Sequence, residues 1–206
     1  MESADYSFSR ILSYILHPLL IPTLATSALM LKPDLFPIIL PAALKLWFVS
    51  VIFVFTLIIP AISVLILLKF KAIYSVELKR RTERTVPLLI ASISYLGLLF
   101  FIKPTIIPPV FLYILYSAAL ALLSGLVLNM VFKISLHTLG WGALTATLVS
   151  ISMGIGTPLL PFIFVSILLS GIAGYARLMQ NAHNQAQVYW GYVAGVSVVL
   201  LITVLS

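Results

Sequence analysis

Seven apolar segments, at about 11–30, 46–68, 86–102, 109–132, 138–155, 161–176 and 188–205, occupy most of this 206-residue chain. A bilayer's hydrocarbon core is about 30 Å thick and takes roughly 20 helical residues to cross, with a range of about 17–25. The third, fifth and seventh segments are at the short end of that range and the sixth falls just below it. Backbone groups in lipid must pair internally, so such runs fold as helices or closed barrels. The alternation a barrel needs is missing. The pattern predicts an all-α fold, a polytopic membrane helical bundle with about seven (six to seven) transmembrane helices.

Composition agrees. Charged residues are 8% of the chain and hydrophobic ones 62%, against roughly 25% charged in a soluble domain. The spanning segments leave no room for a separate soluble domain, so 1–206 reads as a single domain. The first run is longer than a signal-peptide core and has no small-residue cleavage site after it, which reads as a mature helix. Cysteine is absent, excluding disulfides and thiolate catalysis. In a membrane setting the net charge of +7 points to lipid headgroups or phosphate as partners, with no nucleic acid.

The breaks carry turn signals: Lys-Pro-Asp at 32–34, Lys-Pro-Thr at 103–105, and Gly-Thr-Pro-Leu-Leu-Pro at 156–161. Pro18, Pro22 and Pro60 lie within segments, where proline kinks helices more often than it ends them. The sixth segment is expected to continue through Arg177 toward Gln180, keeping the polar residues on helix.

Helix parity then organises the polar residues. If all seven segments cross, the loops at 69–85, 133–137 and 177–187 share one side. They hold the basic cluster Lys79, Arg80, Arg81, Glu83 and Arg84, then Lys133, Ser135 and His137, then Arg177, His183 and Gln187. Polar groups at the ends of apolar runs are costly to keep unless something uses them. An arginine and two histidines at one level of a bundle can hold a phosphate, attack it and protonate its leaving group.

In sequence, ARLMQNAH sets Arg177 and His183 apart by five residues, SLH joins Ser135 to His137, and RRTERTVP ends the basic cluster. These motifs, in this order over about 79–195, resemble those of the type 2 phosphatidic acid phosphatase superfamily. The resemblance implies a membrane-embedded phosphatase that hydrolyses a lipid phosphomonoester or pyrophosphate, of the phosphatidate, phosphatidylglycerol phosphate or undecaprenyl pyrophosphate class. His183 would form a phosphohistidine, His137 would protonate the leaving alcohol, and Arg84 and Arg177 would clamp the phosphoryl oxygens. Arg81, Lys79, Lys133 and Ser135 would add phosphate contacts. The implied mechanism uses no metal and no cofactor. The carboxylates Glu2, Asp5, Asp34, Glu77 and Glu83 all lie outside the apolar segments and form no magnesium-holding cluster.

The chain departs from the superfamily in three places. Gln187 stands where an aspartate usually orients the nucleophilic histidine; its carbonyl oxygen can fix the tautomer but supplies no charge. Glu77 falls where the first motif has lysine, and Pro87 follows Arg84 by three positions instead of one. An apolar hairpin, about 86–132, replaces a loop. Lys/Arg counting assigns the motif side to the cytoplasm, but the excess is the proposed site itself. The superfamily's habit gives the opposite expectation, the periplasmic face of a bacterial inner membrane.

Blander readings stand beside these. His17 next to Pro18 fits an interfacial anchor or kink, and the basic cluster fits a headgroup-binding or positive-inside signal. Gly191 with Gly195, Gly140 with Gly142, and Gly171 with Gly174 fit close helix packing. Two rival functions remain: a catalytically inactive relative that binds or translocates a phospholipid, and, ranked lower, an ion-coupled transporter, which usually needs an embedded carboxylate.

Overall fold

The computed structural model describes residues 2–32, 40–78, 80–102, 107–156 and 158–205. Among these every regular element is helical. In chain order they are α1 (Glu2–Ile15), α2 (Ile21–Met30), α3 (Ala42–Phe53), α4 (Ile59–Lys69), α5 (Thr85–Phe101), α6 (Pro109–Val131), α7 (Leu136–Ile155), α8 (Leu160–Met179) and α9 (Gln185–Leu205). The turn signals at 33–34 and 103–105, and Thr157, lie outside the described residues.

Among the described residues, six helical stretches are long and apolar enough to cross a membrane: Asp5–Met30, Ala42–Lys69, Thr82–Phe101, Pro109–Val131, Leu160–Met179 and Gln185–Val204. Their outer faces carry large exposed side chains such as Leu46, Leu65, Ile93, Phe100, Phe164 and Leu168. Water tolerates such a surface poorly, and the arrangement is compatible with an integral membrane protein.

The fifth expected segment, α7, is long enough at 20 residues but is not among the six. Its threonines and serines lower its apolar character. They face inward instead: Thr138, Thr145, Thr147 and Ser150 are all buried, and α7 packs against α6, α8 and α9. Thr145 Oγ1 donates to the Trp141 carbonyl at 2.9 Å and Thr147 Oγ1 to the Ala143 carbonyl at 2.7 Å, which satisfies the hydroxyls without water. Thus the long helix outside the six lies at the centre, between α6, α8 and α9.

Glycine lets α7 and α9 meet backbone to backbone. A Cβ on Gly195 would collide with the Leu139 carbonyl oxygen, and one on Gly191 would lie 2.6 Å from the Ser135 carbonyl oxygen. The small-residue reading therefore describes this pair, as it does Gly174, whose Cβ would lie 2.8 Å from Val188 Cγ1. Gly171 differs, because nothing lies within 4 Å of its Cβ position.

Two of the three internal prolines restructure their helices, since proline lacks an N–H and crowds the preceding turn, whereas Pro22 sits in the first turn of α2, where it is tolerated. Pro18 ends α1 in a short 3-10 turn, Pro18–Leu20, before α2 begins. Pro60 follows a π-helical turn, Val54–Ile58. In that wider register the Phe55 carbonyl would need the N–H that Pro60 does not have. Ser94 Oγ of α5 donates to it at 2.5 Å, so a side chain from a neighbouring helix repairs the break.

Candidate active site

His183 lies between two helix ends whose caps leave it little freedom. Beyond α8, Asn181 takes a left-handed conformation with φ 50°, which Asn tolerates better than most residues. Its N–H donates to the Leu178 carbonyl at 2.9 Å, and that of Ala182 to the Arg177 carbonyl at 3.1 Å. This is a Schellman stop. The next residue but one, Asn184, caps α9: its Oδ1 accepts from Gln187 N at 2.9 Å, while Gln187 Oε1 accepts from Asn184 N at 3.4 Å. That reciprocal pair is a capping box.

The capping box also sets the histidine's tautomer. Gln187 Oε1, held as an acceptor by the Asn184 N–H, lies 2.8 Å from His183 Nδ1. Nδ1 therefore carries the hydrogen, and Nε2 keeps its lone pair. Arg84 Nη2 lies 3.4 Å from that Nε2.

Arg84 is placed by a 3-10 turn, Thr82–Arg84, leading into α5. Its Nε donates to the Leu78 carbonyl at 2.8 Å and its Nη1 to the Ile134 carbonyl at 3.2 Å. Leu78 itself has φ 48°, a strained value for a branched side chain, and the bond from Arg84 helps hold it. Only 4% of Arg84 is exposed. A buried guanidinium whose hydrogen bonds go to neutral oxygens and an imidazole nitrogen is an expensive arrangement, and one that an anion relieves.

Arg177 stands on the last turn of α8, where a cation complements the helix dipole. Its Nη1 donates to Gln180 Oε1 at 3.2 Å and to Ser13 Oγ at 3.5 Å. Arg177 Nε is buried without an acceptor among the described residues.

His137, in the first turn of α7, lies 3.1 Å through Nε2 from the Ser13 carbonyl. A carbonyl only accepts, so Nε2 bears the hydrogen. Pro18 explains why that carbonyl is available: with α1 broken, the His17 N–H turns to Tyr14 O at 3.4 Å. The Leu16 carbonyl is met similarly by Trp141 Nε1 at 3.2 Å. The His17 ring stands edge-on to His137 with centroids 5.2 Å apart.

One cavity of about 570 Å³ gathers Arg84, His137, Arg177 and His183 at its polar end, together with Arg10, Ser13, His17, Glu77 and Gln180. Arg81, Lys133, Ser135 and Gln187 are not part of its lining. Arg81 Nη1 donates to the Met130 carbonyl at 2.8 Å, and Lys133 Nζ to the Ala182 carbonyl at 3.0 Å. Ser135 is fully buried and caps α7, its Oγ accepting from Thr138 N at 3.5 Å. Gln187 acts on the cavity through His183. Lys79 lies outside the described residues.

Sequence reading missed Ser13, His17 and Gln180 as site residues. A signal existed, since Ser9, Ser13 and His17 recur every four residues and so form a polar stripe on one face of an otherwise apolar first segment. Gln180 reaches that stripe, its Nε2 donating to Ser13 Oγ at 2.7 Å and to the Ser9 carbonyl at 2.8 Å.

Burial, then the charge of Arg84, pushes the His183 imidazole down to about 3; Gln187 opposes this, while Arg177 and Lys133 add to it. Lys133 is lowered by burial, then by Arg84 and Arg177. His183 is therefore neutral at pH 7, with a nucleophilic nitrogen beside a guanidinium. Its depressed value also links to stability. Between the ordinary histidine value of about 6.5 and about 3, the unfolded chain binds a proton that the folded one excludes. The contribution is whole above about pH 6.5 and shrinks as pH falls toward 3. Unfolding midpoints in detergent should thus fall on acidification more steeply for wild type than for His183→Gln; parallel curves would contradict it.

Comparisons with protein-family models, curated proteins and solved structures find no match to this chain.

Proposed function

We propose that this protein is a membrane-embedded phosphatase that hydrolyses a lipid phosphomonoester or pyrophosphate through a phosphohistidine. The observation carrying this reading is His183: Nδ1–H bound to Gln187, and the Nε2 lone pair facing Arg84 at the polar end of a largely apolar cavity. The order and spacing of the motifs, and their resemblance to the type 2 phosphatidic acid phosphatases, support it. On that resemblance the protein sits in a bacterial inner membrane, with the site toward the periplasm.

In the proposed reaction the phosphate enters between Arg84 and Arg177, whose guanidiniums neutralise its oxygens. His183 Nε2 attacks phosphorus; the P–N bond forms as the P–O bond to the lipid breaks. The substrate phosphate, entering as its monoanion, lends its proton to His137 Nδ1, which passes it to the leaving oxygen while Nε2–H stays engaged by Ser13. Water then attacks phosphorus as His137 Nδ1 takes its proton, the P–N bond breaks with its electron pair returning to His183 Nε2, and inorganic phosphate leaves with that proton. Cations fixed where phosphoryl charge develops supply most of the acceleration in such reactions.

The test is inorganic phosphate release by the detergent-purified protein from a lipid phosphate panel in EDTA. Release from at least one lipid is expected. Its absence from a folded protein would favour the second reading, a relative that binds or translocates a phospholipid. Gln187 is the observation behind that alternative: an amide gives the phosphohistidine no negative charge, and losing the equivalent charge in a serine protease triad costs about 10⁴ in rate.

A further inference from the structure

Below its polar end the cavity continues as an apolar shaft. It is lined by Arg84 just before α5 and by Leu88, Ala91 and Tyr95 on it, and on α7 by His137, Leu144 and Thr147. Those steps of three, four and seven keep to one helix face. At 1.5 Å per residue, Arg84 to Tyr95 and His137 to Thr147 each descend about 15–17 Å. That is about half of the roughly 30 Å hydrocarbon core, one leaflet's depth. Segments of α4 and α6 close the other sides through Ala61 and Ala118.

From this we infer that the substrate is a single-chain lipid phosphate whose one apolar tail runs down the shaft inside the bundle, as a polyprenyl or monoalkyl phosphate would. The inference rests on the phosphatase reading for its phosphate end and on the shaft for its tail. A volume of about 570 Å³ is that of a pocket for one small-molecule ligand. A diacyl lipid branches within a few bonds of its phosphate, where Leu88 and Leu136 form the wall. Its second chain would have to share the same volume of about 570 Å³. Charge complementarity sets the orientation, with Arg84 and Arg177 at one end and alanines and a buried tyrosine at the other.

The experiment compares a homologous series of monoalkyl phosphates with diacyl phosphatidate, in wild type and in Ala118→Phe, which fills the deep part of the shaft. Ala91→Leu narrows the shaft from the opposite wall and serves if the first variant fails to fold. In wild type, turnover should rise with tail length until the shaft is filled, and the diacyl lipid should be at least about tenfold poorer. Ala118→Phe should lower the long-to-short turnover ratio by about tenfold. Equal turnover of diacyl and monoalkyl lipids, or an unchanged ratio in both variants, would overturn the inference while leaving a working phosphatase. If no lipid is hydrolysed, the phosphatase reading fails and binding decides the shaft. Monoalkyl phosphonates would then raise the melting temperature in step with tail length, and less so in Ala118→Phe, if the shaft holds a tail; no dependence on length would reject it.

Discussion

Replacing His183 by alanine should abolish phosphate release, with a fall on the order of 10⁵-fold, as removal of a covalent nucleophile does elsewhere. The fold should survive. His183 makes its side-chain bonds to Gln187 and Arg84, whereas the turn around it is held by backbone and cap bonds that alanine leaves intact. Size-exclusion elution and the melting temperature in detergent would separate lost chemistry from lost structure. An active, folded His183→Ala protein would remove the covalent mechanism outright. A rapid-quench search for acid-labile phosphate on the wild-type protein gives the complementary positive result.

Substituting Arg84 by lysine should cost about 10²–10³ in kcat/KM, the usual penalty for losing a positioned donor to transition-state charge. Charge is conserved, but geometry is not. Arg84 reaches Leu78 O, Ile134 O and His183 Nε2 with three different nitrogens, and a lysine ammonium is a point charge on a flexible stem. At least one carbonyl would lose its partner, a loss of about 1–3 kcal/mol for a buried acceptor. The melting temperature should fall as well. A lysine variant with wild-type kinetics would show that Arg84 merely ties the 78–84 turn to the Ile134 loop and never touches phosphate.

How far the sequence carried this site depends on the scale of the feature. Helical segments were legible because lipid-length apolar runs have few alternatives, and loop parity was enough to suggest that His137, His183, Arg84 and Arg177 share one end. That these four line one cavity is a matter of packing. The same parity could not separate cavity residues from those outside the lining, because Ser135, Lys133 and Arg81 share the loops but spend their polar atoms on backbone. Gln187 was readable as a substitute acceptor, yet the capping box that makes its oxygen an acceptor needs the turn's geometry. His17 looked like a kink residue and does stand at one. Its place beside His137 follows from how α1 docks on α7 and α8, which no local pattern encodes. The proline breaks were expected as kinks, but the π-helical turn depends on Ser94 from another helix.

The central position of α7 bears on how the protein is made. A helix with His137 near its start and buried threonines and serines along its length turns its polar side chains toward its neighbours. Several hydroxyls are met within the helix itself, but the close glycine seam needs α9, which follows it in the chain after α8. The seam face of α7 is therefore open until both of these later helices have been made. Only when α9 closes against it do Arg177, His183 and His137 come together, so the polar end of the cavity forms after α9 has been added.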